Sequence, residues 1–502
     1  MSTELLKAIA DSNQWWAIGP EMILACAALG LLVLEIILPK NQHRFIPMVA
    51  VLSLVVVLFG VVLNFNKIWD GEALFGGLIR LSVAGQIARV FFLFSSLLVL
   101  FLASVCLPRT RMPRVEFSHI VLVVTAAMML LVQSNHFVMF FVALETVTIG
   151  FYILVSYFRD SAFSLEAGLK YLVLGALSSA ILLFGIVLIY GAVGRVVVDG
   201  VVHTGFEYAT VANFLRQHPD NFLAVAGALL VIGGVAFKIG AFPFQVWIPD
   251  VYQGAPTPVT AFLAVSSKAA GFAVLLVFVD QVFSPIASVL KPVLSLMAAA
   301  TIIFGNLSAL TQRNDKRLMG VSGISHAGYL LVGVVASLTI PMATGAIWFY
   351  LFAYMLASMA AFGVMAYLGV TEDAGQEIDT YHRLAKDHPF LGGILAVAVG
   401  SLAGIPPLAG FMGKLLIFVA AFQAHLYGLL AVAIIGVVLS IFYYFGWIKA
   451  AYFESPAEGE AGQPARTFAP ISLVGATTLT VLALATVLLG FYQSPLTDWL
   501  LK

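Results

Sequence analysis

The stretch GVAFKIGAFPFQVWIPD, residues 234–250, determines how the rest of the chain is interpreted. It lies in an otherwise apolar run, yet it contains Lys238 and is interrupted by Gly240 and Pro243. Proline lacks a backbone donor and its ring clashes with the preceding helical turn, so a helix breaks there. In a bilayer, a broken helix and a charged group are tolerated only beside protein or a water-filled cavity. The stretch therefore predicts an interrupted membrane helix next to a polar site.

Composition places the whole chain in a bilayer. Of 502 residues, 61% are hydrophobic and 10% are charged, whereas about a quarter of the residues in a soluble protein are charged. Apolar windows recur along the sequence with short polar interruptions. Because a span needs about 20 apolar residues, we predict an all-α, polytopic membrane protein with about 14 transmembrane helices. Helices 7 and 12 are expected to be discontinuous.

The residue types needed for cofactor chemistry are scarce. Cys26 and Cys106 both lie in apolar segments, and an iron–sulfur cluster needs about four thiolates. The sequence shows no glycine-rich nucleotide loop, metal-ligand cluster or catalytic triad. We therefore expect no cofactor and no metal in this chain, contact with membrane lipid, and no nucleic-acid partner.

Basic residues predict the orientation, because lysine and arginine accumulate in cytoplasmic loops. With an even number of spans, both termini lie on one side of the membrane. The loops on the other side, which carry Lys40, Arg109 and Arg317, hold more basic residues than the loops on the side of the termini. We assign Arg89 to a loop on the side of the termini. We predict a multi-pass protein of a bacterial plasma membrane with both termini on the periplasmic side.

Several ionisable residues fall far from the predicted membrane surfaces. A charge at bilayer depth costs about 3 kcal/mol or more, so each one needs an explanation. Besides Lys238, these residues are Glu145 in the fifth span, Lys268 in the eighth, His326 in the tenth, and Lys414 two turns after the Pro406–Pro407 break in the twelfth. For Glu145, Lys238, Lys268 and Lys414, this depth favours a functional role over a structural one.

For other residues a structural interpretation competes. His326 shares a helix face with Ser322 and Tyr329, a stripe that can hold water, although a lone histidine is more often a satisfied core residue. Lys170 follows Glu166 by four residues, so an interfacial ion pair is an equal alternative to a functional role. Residues nearer to segment ends favour a structural or interfacial role: Glu21, Glu35 and Asp280.

The chemistry of a buried lysine suggests a proton path. Burial disfavours the ammonium form, whereas a nearby carboxylate favours it, so a lysine in this setting can take up and release a proton. We expect Glu145 to pair with a buried lysine. We also expect a lateral relay, connected by water and hydroxyl groups, through Lys238, Lys268, His326 and Lys414.

Three strings carry a family resemblance: LETVTIGFYILVSY (144–157), FKIGAFPFQVWIPDVYQGAPTPVTAFLAVSSKAAGF (237–272) and GIPPLAGFMGKLLIF (404–418). They resemble the antiporter-like membrane subunits of respiratory complex I, and the resemblance runs from about Val115 to Phe453. Position 414 is a lysine, which resembles the subunit N branch of this family. A related branch has an acidic residue at this position.

The resemblance implies a fold of 14 helices with two inverted five-helix repeats. Four units are then expected: the first three helices in 1–115, helices 4–8 in 116–285, helices 9–13 in 286–455, and a loop with helix 14 in 456–502. The family's functional glutamate and lysines fall on Glu145, Lys238, Lys268 and Lys414, and its sixth-helix lysine falls on Lys170.

The resemblance also implies a function. The chain would be a proton-translocating membrane-arm subunit of a bacterial NADH-quinone oxidoreductase, without a redox site of its own. FMN, iron–sulfur clusters and quinone would be bound by partner subunits, and other membrane-arm subunits, including antiporter-like homologues, would be its neighbours. Two alternatives remain open: a subunit of a multi-component sodium/proton antiporter, and a structural scaffold.

Overall fold

The computed structural model describes residues 10–65, 71, 73–110, 112–198, 201–368, 376–453 and 470–500. Within these residues, thirteen helices are long and apolar enough to cross a membrane, and two shorter apolar helices form the remaining predicted span. In chain order the spans are α1 (Trp15–Ile37), α2 (Lys40–Leu63), α3 (Val83–Arg109), α4 (Arg114–Val132), α5 (Phe137–Val155), α6 (Ala162–Val193), α7a (Phe222–Ile239), α8 (Thr257–Val282), α9 (Ser284–Ala309), α10 (Asp315–Ser337), α11 (Met342–Leu368), α12a (Pro389–Ala403) with α12b (Ala409–Gln423), α13 (Tyr427–Tyr452) and α14 (Leu473–Phe491).

The predicted breaks in helices 7 and 12 are confirmed. Helix α7a ends at Gly240 and α12a ends at Gly404, with φ angles of 73° and 85°. Glycine adopts this left-handed conformation without a steric penalty, which is why each helix stops there. After the first break the chain resumes as α7b (Ile248–Gly254). Each break contains a proline in a cis peptide bond, Phe242–Pro243 and Pro406–Pro407.

Side-chain caps set the start of several spans. Ser82 accepts from the backbone N–H of Gly85 at the start of α3, and Asn221 caps α7a in the same way. Asn314 caps α10, and Ser472 caps α14. Such caps satisfy backbone donors that have no partner within the helix. They show why polar residues interrupt the apolar runs at these points.

The bundle has a buried centre and a lipid-facing rim. In the most apolar stretches of α8, α10 and α11, 94%, 100% and 94% of the residues are buried, against 28% in α1, α2 and α14. Helix α6 packs along α7a, α9 packs along α10, and α7b contacts both α6 and α10. The helices that carry Lys268 and His326 are therefore shielded from lipid by the rest of the chain.

Helix α8 is not a regular α-helix. It contains two π-helical segments, Leu263–Ser267 and Phe278–Val282, and Lys268 directly follows the first. A π-helical turn leaves backbone groups without their usual i to i−4 partners, and such turns occur often at functional sites. The apolar pattern of the sequence did not predict these π-helical segments.

In the described part of the chain, two β-hairpins lie at the face of the bundle where α1 begins and α14 ends, which we call the terminal face. Strand β1 (Ala73–Leu74) pairs with β2 (Ile79–Arg80), and β3 (Arg195–Val198) pairs with β4 (Val201–Thr204). A surface helix, Tyr208–Gln217, follows β4. The all-α class thus describes the membrane part of the chain. The boundaries of the four predicted units stay predictions, and residues 456–469 of the last unit lie outside the described residues.

The assignment of Arg89 to a loop was wrong. Arg89 lies inside α3 with 3% of its surface exposed, and it forms an ion pair with Glu21 of α1, which is equally buried. The structural role expected for Glu21 is consistent with this contact. The sequence did not reveal the pair because the two residues are 68 positions apart.

Candidate functional site

Lys238 lies in the last turn of α7a, directly before the break. Its side chain is 7% exposed, and its Nζ donates a hydrogen bond of 2.6 Å to Thr148 Oγ1 of α5. The Thr148 hydroxyl in turn donates to the Leu144 carbonyl at 2.7 Å. A hydroxyl that both accepts and donates can pass a proton without carrying a charge itself.

Glu145 lies one turn before Thr148 on α5 and is half-buried. Its Oε1 accepts a hydrogen bond of 2.6 Å from Ser179 Oγ of α6. Among the described residues, Glu145 has no basic side chain within the 4.0 Å of an ion pair. The expected direct pair with a buried lysine is therefore not formed, because Lys238 contacts Thr148 instead.

Lys268 of α8 points toward α10 and α11. It is 2% exposed, and its Nζ donates to the Gly323 carbonyl at 2.7 Å and to Tyr354 Oη at 3.4 Å. The same nitrogen lies 4.9 Å from the centre of the Tyr354 ring. A Cβ added at Gly323 would lie 2.9 Å from Lys268 Nζ, so glycine at this position makes room for the amine.

His326 of α10 has a hydrogen-bond partner on each ring nitrogen. Nδ1 lies 2.6 Å from Tyr350 Oη of α11, and Nε2 lies 3.1 Å from Tyr444 Oη of α13. The partners thus come from neighbouring helices rather than from the Ser322 and Tyr329 stripe, since the Ser322 hydroxyl donates to the Met319 carbonyl. A histidine held between two hydroxyls can accept a proton on one nitrogen and release one from the other.

Lys414 of α12b lies beside the second break. It is 3% exposed, and its Nζ donates to the carbonyl oxygens of Leu402 and Ala403 at 2.9 and 3.0 Å. These carbonyls belong to the last turn of α12a, whose interruption leaves them without a helical partner. The lysine therefore occupies the carbonyl end of a broken helix, where the helix dipole favours a cation.

Aromatic rings connect these residues within the second half of the chain. The Tyr354 ring, which contacts Lys268, lies 5.0 Å from the His326 ring between centres. The Tyr329 ring lies 6.1 Å from His326 on the other side, and Lys414 Nζ is 5.3 Å from its centre. The contacts therefore link Lys268, Tyr354, His326, Tyr329 and Lys414 in that sequence.

A small cavity lies beside Lys238. Lys238 and Ser267, the residue before Lys268, line a cavity of about 10 Å³ whose other walls are apolar. A cavity needs roughly 10 to 15 Å³ to hold one water. The cavity is therefore at the limit for a single water molecule.

Lys170 lies apart from the buried series. Its side chain is 41% exposed and forms ion pairs of 2.7 Å with Glu166 and with Asp250 of α7b. Asp250 also binds Arg317 of α10 at 2.9 Å, and Arg317 donates to Gln253. The structure thus supports the interfacial ion pair that the sequence suggested, and it adds a link between α6, α7b and α10.

Several polar residues of the site were missed in the sequence. Tyr350 and Tyr354, four residues apart in α11, and Tyr444 in α13 all contact the buried series. A tyrosine in the middle of an apolar span was a usable signal, because a buried phenol normally has a hydrogen-bond partner.

A second polar contact lies at the opposite face, where α10 starts. Tyr381 donates to Asp315 at 2.6 Å, and burial, reinforced by this carboxylate, raises the pKa of Tyr381. Across the described part of the chain, no cluster of three or more histidine, cysteine, aspartate or glutamate residues could hold a metal ion.

Comparison with known proteins agrees with the fold and with the site-bearing segments. Residues 134–440 match the family described as NADH:quinone oxidoreductase/Mrp antiporter, TM. Subunit N 1 of the NADH-quinone oxidoreductase of Opitutus terrae is 59% identical over 505 residues, covering 100% of both chains.

Two solved structures have the same fold. A chain of respiratory complex I from Thermus thermophilus superposes with a TM-score of 0.77 at 30% identity, over 95% of this chain and 98% of that one. A chain of the Mrp complex from Dietzia superposes with a TM-score of 0.81 at 20% identity, over 97% of both chains. The second likeness concerns the fold alone.

Proposed function

The chain belongs to the NADH:quinone oxidoreductase/Mrp antiporter family of membrane proteins, and on this basis we propose that it translocates protons in a bacterial NADH-quinone oxidoreductase. In this proposal it is an antiporter-like membrane-arm subunit of the subunit N type. Protons move along the buried series of Lys238, Lys268, His326 and Lys414, with Glu145 adjusting the charge of the first lysine.

Sequence identity separates this function from the sodium/proton antiporter alternative. The fold cannot do so, because the Mrp chain and the complex I chain superpose about equally well. Identity of 59% over the full length to a subunit N sequence favours the redox enzyme. The scaffold alternative is disfavoured because a scaffold has no use for three buried lysines.

One observation carries the proposal most strongly. Lys238, Lys268 and Lys414 are each at most 7% exposed, and among the described residues none has a carboxylate within 4.0 Å. Their amines donate to hydroxyl groups and carbonyl oxygens and lie near aromatic rings. A lysine with a structural role is expected to be paired, since an unpaired buried charge costs several kcal/mol. These amines can instead lose a proton without leaving a carboxylate unpaired.

The contacts support specific roles. Lys238 holds a proton beside Thr148 and releases it when the negative charge of Glu145 no longer favours the ammonium form. Lys268 receives it from the Lys238 side and faces His326 through Tyr354. Lys414 is the last member of the buried series, and its carbonyl partners at the end of α12a stabilise its charged form. Lys170, which lies apart from the series in partly exposed ion pairs, is a secondary member of the relay.

The proposal assigns the redox chemistry to other chains. FMN, iron–sulfur clusters and quinone are held by partner subunits, and this chain contributes a membrane path coupled to them. Its neighbours are other membrane-arm subunits, and its rim helices contact lipid. The terminal face is periplasmic in this proposal, because more of the basic loop residues lie on the opposite face. The two five-helix repeats are helices 4–8 and 9–13.

Purification from native membranes tests the assignment. A tag on this chain should recover a complex that contains flavin and iron–sulfur clusters and that oxidises NADH with quinone as acceptor. In proteoliposomes the same complex should acidify one side during turnover. Recovery with antiporter subunits and without redox centres would select the antiporter alternative. Wild-type proton flux in a variant that carries Lys268→Leu and Lys414→Leu together would refute the proton path.

A further inference from the structure

The ion pair between α1 and α3 leaves part of a buried arginine without a protein partner. Arg89 donates from Nε and Nη2 to the two oxygens of Glu21, both at 2.8 Å, and from Nη2 to the Ala17 carbonyl at 2.7 Å. Gln133 adds a hydrogen bond of 2.9 Å to Glu21. Among the described residues, Nη1 of Arg89 has no hydrogen-bond partner, although Arg89 is only 3% exposed. This donor is therefore available to a group from outside the protein.

Arg89 lines a cavity that explains this arrangement. The cavity measures about 550 Å³ and lies at the terminal face between the starts of α1 and α3 and the end of α2. Its polar wall includes Arg89, Gln86 and Asn64, and its apolar wall includes Ile23 and Val56. The side chain of Gln86, 9% exposed, has no hydrogen-bond partner among the described residues either. Two donors thus face a space that no described side chain fills.

The cavity opens toward the lipid-facing rim rather than toward the core of the bundle. Ile23 and Val56 are 51% and 55% exposed, and they lie on α1 and α2, which are among the least buried helices of the bundle. Trp15 and Trp16, at the start of α1, are 61% and 49% exposed. Tryptophan is enriched at the level of lipid headgroups. The polar wall is therefore at headgroup depth and the apolar wall at the depth of acyl chains.

We propose that this cavity binds a phospholipid from the leaflet at the terminal face. Its phosphate accepts hydrogen bonds from Arg89 Nη1 and from the Gln86 side-chain amide. An acyl chain extends along Ile23 and Val56. Arginine suits this role, because the planar guanidinium binds the Glu21 carboxylate with one edge and offers a second edge to an anionic oxygen.

The chemistry of the cavity selects this occupant. A phosphodiester offers two unesterified oxygens at one point, which matches the two neighbouring donors, and the acyl chains attached to it match the apolar wall. The volume suits a headgroup with the first part of one chain, since sites for small molecules measure about 300 to 1,000 Å³. The bound lipid would join α1 and α2 to α3 and so attach the first three helices to the bundle.

The experiment uses the whole complex, purified in nanodiscs that contain a phospholipid with a photoreactive group near its headgroup. Crosslinked peptides are identified by mass spectrometry. Gly60→Leu fills the cavity, because nothing lies within 4 Å of a Cβ built at Gly60. Gln86→Leu removes one donor and keeps the ion pair. Gly30→Leu is the matched control, since it is equally unobstructed and does not line the cavity.

We expect crosslinks to the end of α2 in the wild type. Because the loss of a hydrogen bond to an anionic group costs about tenfold in affinity, Gln86→Leu should weaken labelling by about that factor. Gly60→Leu should abolish labelling, and Gly30→Leu should leave it unchanged. An excess of unlabelled phospholipid should compete, whereas inorganic phosphate or a fatty acid should not. Competition by a fatty acid, unchanged labelling in Gln86→Leu, or a partner subunit that fills the cavity in the assembled complex would overturn the proposal.

Discussion

Lys238 of α7a donates its 2.6 Å hydrogen bond to Thr148 of α5, one turn beyond the carboxylate of Glu145 on the same helix. The lysine and the glutamate therefore form no direct bond, and Thr148, which accepts from the lysine, lies on the same helix as the glutamate. The negative charge of Glu145 therefore lies near the amine of Lys238 without forming an ion pair with it. A tight ion pair would hold the proton in place.

The Thr148 hydroxyl is the first point at which this arrangement is testable. Thr148→Val has the same shape and removes the acceptor, so proton flux per electron should fall by about tenfold, as expected for a lost hydrogen bond to a charged group. Thr148→Ser should retain most of the flux. The measurement is acidification by proteoliposomes at a fixed rate of NADH oxidation. Equal flux in the valine variant and the wild type would show that the contact is incidental.

Arginine at position 238 separates charge from titration. Lys238→Arg keeps a positive charge that does not titrate in proteins, so flux should fall by about tenfold or more, as for Lys238→Ala, because a positioned proton carrier is lost. Lys449→Arg, at an exposed position near the end of α13, is the matched control and should leave proton flux unchanged. Full flux in Lys238→Arg would mean that Lys238 does not release its proton.

The carboxylate of Glu145 should act by its charge. Glu145→Ala removes an interaction of about 1 to 2 kcal/mol at an effective dielectric constant of about 20, so flux should fall by about tenfold. Glu145→Asp keeps the charge and should be milder. Ser179→Ala, which removes one hydrogen bond and leaves the charge, should also be milder than Glu145→Ala, because Glu145→Ala removes both. Equal losses in the alanine and aspartate variants would assign the effect to side-chain length instead.

The two tyrosines bound to His326 should differ in effect. Tyr350 Oη lies 2.6 Å from Nδ1 and Tyr444 Oη lies 3.1 Å from Nε2, so Tyr350→Phe should reduce flux more than Tyr444→Phe. A neutral hydrogen bond contributes about 1 kcal/mol, so the larger effect should be about fivefold. Tyr427→Phe, at an exposed position, serves as the control. The reverse order of the two effects would place the main proton route on the α13 side.

Lys170 should be a minor contributor. Its ion pairs with Glu166 and Asp250 are partly exposed, and such pairs contribute about 1 kcal/mol or less, so Lys170→Gln should lower flux by at most about fivefold. Asp250→Asn should have a similar effect, and the double variant should add little, because both changes break one network. Complete loss of pumping in Lys170→Gln would instead place this lysine among the main carriers.

Much of the fold could be predicted from the sequence. Hydrocarbon thickness sets the length of a span, and proline and glycine break a helix wherever they occur, so the spans and both interruptions follow from local composition. Local composition also predicted which ionisable residues lie deep in the membrane: Lys238, Lys268, His326 and Lys414. Arg89 was misassigned because a single basic residue near a predicted helix end is equally compatible with a loop and with a buried ion pair.

The contacts of the site depended on how the helices pack. The sequence by itself determined that this is a membrane bundle with interrupted helices and buried lysines, because apolar length and helix breaking are properties of short segments. Only the tertiary structure decided that Lys238 meets Thr148, that tyrosines of α11 and α13 enclose His326, and that Lys414 reaches the carbonyl end of α12a. Those partners lie on different helices, and the rotation and crossing of packed helices, which no local pattern encodes, determine which side chains meet.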